Sequence, residues 1–279
     1  MSPEIRDIGR ERGSDSWRRG PSLRCWQPRP AARLQLVCLP HAGGGAGFYR
    51  SWATLLPPDV ELVAVQYAGR EDRWGDKMTD SMDELAGGLA DELLPVLDRP
   101  YALFGHSMGS AVAWELAHQL RRAGAQPPRR LFASGREAPG TARPGQVHRQ
   151  SDELLCDELE RLGGTDREVL ADPELRAAVL GYIRNDYRLI ETYCPEPSAR
   201  QLLECPITVL TGEADAELAP DRGGDGTGGW AGLTNRRTHV HTFPGGHFYL
   251  GPQRAQVIAT VLRRLDPSLA TAGEWPSTP

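Results

Sequence analysis

The sequence lacks any apolar run that reaches the roughly 18 residues of a membrane span. It has no excess of positive charge. Its 32 Lys and Arg stand against 37 Asp and Glu, a net charge of −5, so nothing in the balance points to nucleic acid. Cysteines are few and scattered: Cys25, Cys38, Cys156, Cys194 and Cys205 show neither Cys-x-x-Cys spacing nor metal-ligand spacing to a His. An odd, dispersed set of thiols is expected to stay reduced and mostly buried, which points to a cytoplasmic setting. No Gly-Lys-Ser/Thr closes a glycine-rich loop, which argues against a phosphate cradle. No metal and no cofactor is expected. Trp17-Arg18-Arg19-Gly20 faintly resembles a twin-arginine signal, but the residues after it are too polar for the apolar core of a signal peptide.

What is present is a soluble, globular composition, 39% hydrophobic and 25% charged, in 279 residues, a length that one large α/β domain often uses. The chain is organised around Tyr101-Ala102-Leu103-Phe104-Gly105-His106-Ser107-Met108-Gly109-Ser110. An apolar run leads into Gly-x-Ser-x-Gly, and Ala111, Val112, Trp114, Leu116, Ala117 and Leu120 then give the apolar face of a helix. Strand, sharp turn and helix in that order put Ser107 in a strained backbone position with its hydroxyl exposed above a sheet. Gly105 and Gly109 leave room for strand and helix to approach.

Taken in order, residues 1–30 are Arg-rich, mixed in charge and broken by Gly and Pro, and are expected to form a poorly ordered leader, with Trp26 near enough to dock on the body. Residues 31–267 are expected to form one domain, and 268–279 a flexible tail. Leu34–Leu39 reads as a strand, followed by Pro40-His41-Ala42-Gly43-Gly44-Gly45-Ala46. Small residues after a strand let backbone N–H groups face a cavity, as the oxyanion loop of a nucleophile-elbow hydrolase does. His41 reads as loop support or a rim residue. Further strands are expected at Val60–Tyr67, Arg130–Ser134, Pro206–Thr211 and Thr238–Phe243. Ser81 and Glu84 form a capping-box pair at the start of a helix reaching to about Leu97. Between about Thr141 and Leu202 helices follow one another without a strand, Asp172 capping one that begins at Pro173. A helical insertion in a β/α alternation reads as a lid over an active site.

The alternation itself predicts a mostly parallel central sheet flanked by helices. Catalytic groups in such sheets sit at the carboxyl ends of strands. Ser107, Asp215 and His247 each fall just after an expected strand, and their order, Ser then acid then His, is that of the α/β-hydrolase arrangement. His247 lies in Gly245-Gly246-His247, a loop free to bring the ring to Ser107, whereas His106 is expected to point elsewhere and pack. The acid has competitors. Glu213, Glu217 and Asp221 lie close to Asp215, and Glu137 follows an earlier strand; Asp215 is favoured for its place in a turn that can aim it inward.

At this point the chain resembles the type II thioesterases that accompany polyketide synthases and nonribosomal peptide synthetases. The matching segments are LVCLPHAGGGAGFYRSW, AVQYAGREDR, RPYALFGHSMGSAVAWELAHQL, LFASGREAPG, YIRNDYRLIETY, TVLTGEAD and FPGGHFYL, spanning roughly residues 33 to 265. The chain departs from the family at Ala68, where a Pro is usual, and in the glycine-rich run from Gly223 to Gly229. The resemblance implies an α/β-hydrolase fold, with Ser107, Asp215 and His247 as triad and the backbone N–H groups of Ala42 and Met108 as oxyanion hole. It implies hydrolysis of acyl, aminoacyl or peptidyl groups from the phosphopantetheine arm of acyl or peptidyl carrier proteins, clearing stalled or misprimed synthases, by a monomer acting in trans. The other readings are a general esterase or peptidase of the same fold, a product-releasing thioesterase, and a non-catalytic binder on a hydrolase scaffold.

Overall fold

A computed structural model of the chain describes residues 20–141, 145–165, 167–196, 200–218 and 226–270. Seven strands form one sheet: β1 (Leu23–Arg24), β2 (Leu34–Leu39), β3 (Val60–Val65), β4 (Tyr101–His106), β5 (Leu131–Ser134), β6 (Ile207–Gly212) and β7 (Thr238–Phe243). Their order across the sheet is β1-β3-β2-β4-β5-β6-β7. Every neighbouring pair is parallel except β1 with β3. The inner strands β2, β3, β4 and β5 are buried at every position, which is why they read as continuous apolar runs and not as alternating ones.

Helices cover both faces. On one side α2 (Met82–Leu93) and α3 (Met108–Arg122) pack on Val37, Val63, Leu103 and Val209. On the other α1 (Arg50–Ala53) and α7 (Arg254–Leu265) pack on Leu36, Leu62, Phe104 and Phe132. Alternate residues of one strand therefore serve opposite cores, as a two-residue side-chain period requires. The Ser81 hydroxyl accepts from the Glu84 N–H at 3.3 Å and caps α2.

Between β5 and β6 the chain forms α4 (Asp152–Leu162), α5 (Arg167–Ala171) and α6 (Pro173–Glu191). Asp172 caps α6 through the N–H groups of Glu174 and Leu175, with Pro173 at the first helical position. Leu155, Leu159, Leu170, Leu180 and Ile183 form a small core of their own there.

The expected disordered leader is corrected at its inner end. Residues 20–30 are part of the fold: Leu23 pairs with Val65, Leu23 and Cys25 are buried, and Trp26 packs partly buried on the α1 and α7 core. A two-residue strand has no periodicity from which it could be read. Residues 1–19, including Trp17, lie outside the described residues. At the other end, Pro267–Ala270 makes a helical turn that buries Leu269.

Candidate active site

Ser107 sits between β4 and α3 with φ 52° and ψ −118°, a conformation that costs a non-glycine residue energy and turns the side chain out of the strand-to-helix corner. Its neighbours hold it there. The Ser107 N–H donates to the Ser134 carbonyl at 2.7 Å. The Ser110 hydroxyl donates towards the Gly105 and Ser134 carbonyls, both at 2.9 Å, and accepts from the Ser134 N–H at 3.0 Å. The flanking glycines are a steric necessity. A Cβ on Gly105 would lie 2.0 Å from the Gly109 carbonyl oxygen, and one on Gly109 would lie 2.1 Å from that of Leu39.

The loops after β6 and β7 bring the acid and the imidazole together. Asp215 is 5% exposed, and its two carboxylate oxygens lie 3.1 and 3.0 Å from His247 Nδ1. Asp215 Oδ1 also accepts the Glu217 N–H at 3.0 Å, which fixes the carboxylate plane. A carboxylate on Nδ1 places the ring proton there and leaves Nε2 as the basic nitrogen. Of the competing acids, Glu213 is exposed, Glu217 pairs with Arg161, and Asp221 lies outside the described residues. Glu137 is part of the cavity wall. Ser107 and His247 both line that cavity, of about 510 Å³, without a hydrogen bond between them among the described residues. Such contacts commonly close only when substrate is bound.

The cavity is walled by the β5 loop, the Ala42 loop and the inner side of the α4–α6 insertion. Its lining is mixed. Val147, Leu159, Leu162, Ile190 and Phe248 stand beside Arg136, Glu137, Glu158, Glu191 and Glu217. The lining is not wholly apolar because carboxylates of the lid helices and of the loop after β6 are held at the cavity by partners. Glu158 and Glu217 both pair with Arg161, and Glu191 takes the His148 ring at 2.6 Å. Ala42 reaches the cavity edge, and Met108 N–H opens α3. Neither N–H has an acceptor among the described residues.

Two histidines fall closer to the site than the sequence indicated. His41 is buried edge-on against Phe48, Phe248 and His106, with centroids 4.9, 4.7 and 5.8 Å away. His106 is fully buried with its ring centroid 5.0 Å from that of His247. Its Nδ1 meets the Ser134 hydroxyl at 2.9 Å, which in turn meets the Tyr249 hydroxyl at 2.7 Å. Burial, reinforced by the neighbouring His247, pushes the His41 pKa down to about 3, and burial first of all pushes His106 well below the ordinary histidine value. Both rings are neutral packing pieces. His118, His239 and His241 lie far along α3 and β7, as their sequence positions imply. Trp230 anchors its segment beneath the site by donating from Nε1 to the Arg136 carbonyl at 2.9 Å.

Among the described residues no group of His, Cys, Asp and Glu has the arrangement to hold a metal ion, and no helix is long and apolar enough to cross a membrane.

The sequence matches the family described as "Thioesterase domain" over residues 34–265. It is 38% identical over 232 residues to thioesterase PikA5 of Streptomyces venezuelae, covering 83% of this chain and 80% of that protein. The solved structure of the type II thioesterase BorB from the borrelidin biosynthetic cluster is 41% identical, with a TM-score of 0.79, over 88% of this chain and 97% of that one. RedJ, a thioesterase from the prodiginine biosynthetic pathway in Streptomyces coelicolor, is 36% identical with a TM-score of 0.78, over 89% of this chain and 97% of that one. An elbow serine and a carboxylate-held imidazole around one roofed cavity, on a scaffold shared over nearly its whole length with these enzymes, place the chain in the thioesterase domain family: it is a serine thioester hydrolase of α/β-hydrolase fold.

Proposed function

We propose that the protein hydrolyses acyl, aminoacyl or peptidyl groups from the phosphopantetheine arm of carrier proteins in the cytoplasm, clearing stalled or misprimed polyketide and nonribosomal peptide synthases. The observation that carries the chemistry is the pairing of Asp215 with His247 Nδ1 beside a serine held at positive φ. The substrate class is supported by the biosynthetic clusters for which the relatives are named.

In this mechanism Ser107 Oγ attacks the thioester carbonyl carbon while His247 Nε2 takes the hydroxyl proton. Asp215 stabilises the imidazolium and keeps its tautomer. The carbonyl oxygen becomes an oxyanion facing the free N–H groups of Ala42 and Met108, where preorganised donors lower the barrier most. Collapse breaks the C–S bond, the pantetheine sulfur leaves with the proton from His247, and Ser107 carries the acyl group as an ester. Water, deprotonated by His247, then attacks that ester, releases the acid and restores Ser107. The α4–α6 insertion acts as a lid, so the arm enters as a thread and the carrier stays outside.

The test is a panel of short acyl groups presented on a carrier protein and on a small pantetheine thiol. Carrier-bound substrates should have the higher kcat/KM, because surface contacts position the arm. Neighbouring members of the panel should differ by no more than about two-hundredfold, a single methylene against the apolar part of the lining being worth about 1–3 kcal/mol. Equal turnover of both forms, or faster turnover of small oxygen esters, would overturn this reading in favour of a general esterase.

A further inference from the structure

The loop that holds Ala42 is gripped from outside itself. The Gly44 N–H donates to the His41 carbonyl at 2.9 Å, closing a turn whose third residue, Gly43, has φ +80°. The Gly43 N–H donates to Asp186 Oδ2 at 2.8 Å, and the carbonyl of the following residue, Gly44, accepts from Arg70 Nη1 at 3.1 Å. Arg70 and Asp186 are joined to each other by two hydrogen bonds, the Nη2–Oδ1 one at 2.8 Å. Their side chains are 3% and 4% exposed. The Arg70 guanidinium also lies over the Tyr182 ring, 4.6 Å from its centroid. Asp186, Tyr182 and Ile183 all belong to α6, and Ile183 sits where a Cβ on Gly43 would point, 3.0 Å away.

Two sequence segments that the chemistry does not use therefore meet here: the charged loop Gly69-Arg70-Glu71-Asp72-Arg73 after β3, and Tyr182-Ile183-Arg184-Asn185-Asp186 on the lid helix. A buried ion pair is a poor way to stabilise a fold, because desolvating the two charges offsets most of their attraction. It is a good way to fix a geometry, since the guanidinium fork and carboxylate admit one arrangement. We propose that Arg70 and Asp186 are positioning residues for the oxyanion site: together they clamp the peptide groups at the two ends of the Gly43-Gly44 pair, so that the Ala42 N–H stays aimed at the cavity only while α6 is seated. Catalytic competence is thereby tied to the closed position of the lid helix. The inference rests on the reading of Ala42 and Met108 as the oxyanion donors.

The experiment uses the full-length protein, Arg70→Lys and Asp186→Asn, with circular dichroism to confirm folding. Steady-state kinetics on an acyl-carrier thioester is combined with binding of two pantetheine analogues, an uncharged amide and a trifluoromethyl ketone that adds Ser107 to give a tetrahedral oxyanion. Deleting an oxyanion donor outright costs about 10²- to 10³-fold in kcat, so a displaced one should cost roughly ten- to a hundredfold. Both variants should lose that factor in kcat with KM within about threefold of the native value. They should bind the ketone more weakly by a similar factor and the amide unchanged. A folded variant with native kcat, or equal weakening of both analogues, overturns the proposal, and so does failure of both variants to fold, which would make the pair a stability element. If the native protein itself binds the ketone no more tightly than the amide, the oxyanion reading fails and takes this proposal with it.

Discussion

His41 and His106 crowd the imidazole of His247, the base of the proposed mechanism, and their physical state decides how the site responds to acid. Neither His41 Nδ1 nor His106 Nε2 has a hydrogen-bond partner among the described residues, so a proton on either would be both buried and uncompensated. That is why the His41 pKa falls to about 3 and that of His106 well below the ordinary value. In the unfolded chain both bind a proton below about pH 6.5. The folded protein does not, so the stability they contribute is whole above that pH and is lost as pH falls towards 3. His41→Gln removes one of these protons from the balance. Urea unfolding between pH 7 and 4 should give the variant a shallower loss of stability than the native chain, by up to about 1.4 kcal/mol per pH unit. Identical slopes would contradict a neutral, buried His41. The sequence placed Ser107 and His247 through local pattern alone, each beside glycines at a strand end. It left His41 as loop support or rim, and gave His106 its packing role but not its place beside His247, because the aromatic packing between Phe48 and Phe248 is made by residues 200 apart in the chain.

At the scale of elements, the strand-turn-helix around Ser107 depends on backbone contact, and this is where it is most brittle. A methyl on Gly109 would lie 2.1 Å from the Leu39 carbonyl oxygen and 2.7 Å from that of Pro40, so the clash is with backbone and no side chain can swing aside. Gly109→Ala should cost about 3 kcal/mol, the upper part of the usual range for overpacking, and should lower activity beyond the loss of folded protein by shifting the elbow against β2. Gly88 on α2 is the control, since a methyl there meets nothing within 4 Å. Gly88→Ala should stabilise by about 0.5–1 kcal/mol through helix propensity. Thermal unfolding of the pair checks both signs; a mild Gly109→Ala would mean that strand and helix do not approach as closely as described. Element types and order were legible because the inner strands are largely apolar runs and α2, α4 and α6 carry side-chain caps at Ser81, Ser151 and Asp172. The antiparallel β1 was not, since Leu23–Arg24 is recognisable only by its pairing with β3. Nor was the Arg70–Asp186 pair, whose members are 116 residues apart and gain meaning only when α6 is laid over the Ala42 loop.

The whole molecule separates into a sheet scaffold and a smaller roof. Two large cores on either face of the sheet hold the elbow and the Asp215 and His247 loops, while the α4–α6 insertion has a core of five buried residues to itself. The scaffold was legible from the β/α alternation. The character of the roof was not: helical periodicity shows which residues turn inward, but not that Glu158 and Glu191 would be held at the cavity by Arg161 and His148, with Glu217 of the β6 loop joining Arg161. The claim that joins all scales is that acyl transfer passes through Ser107. It is tested by mixing the protein with an acyl-carrier thioester, quenching in acid within the first turnovers, and weighing the intact chain and its peptides. A mass increase equal to the acyl group on the peptide containing Ser107, absent in Ser107→Ala and decaying as free acid appears, is the predicted result. Thioester hydrolysis by folded Ser107→Ala at close to the native rate, or an acyl group carried on any other residue, would contradict it.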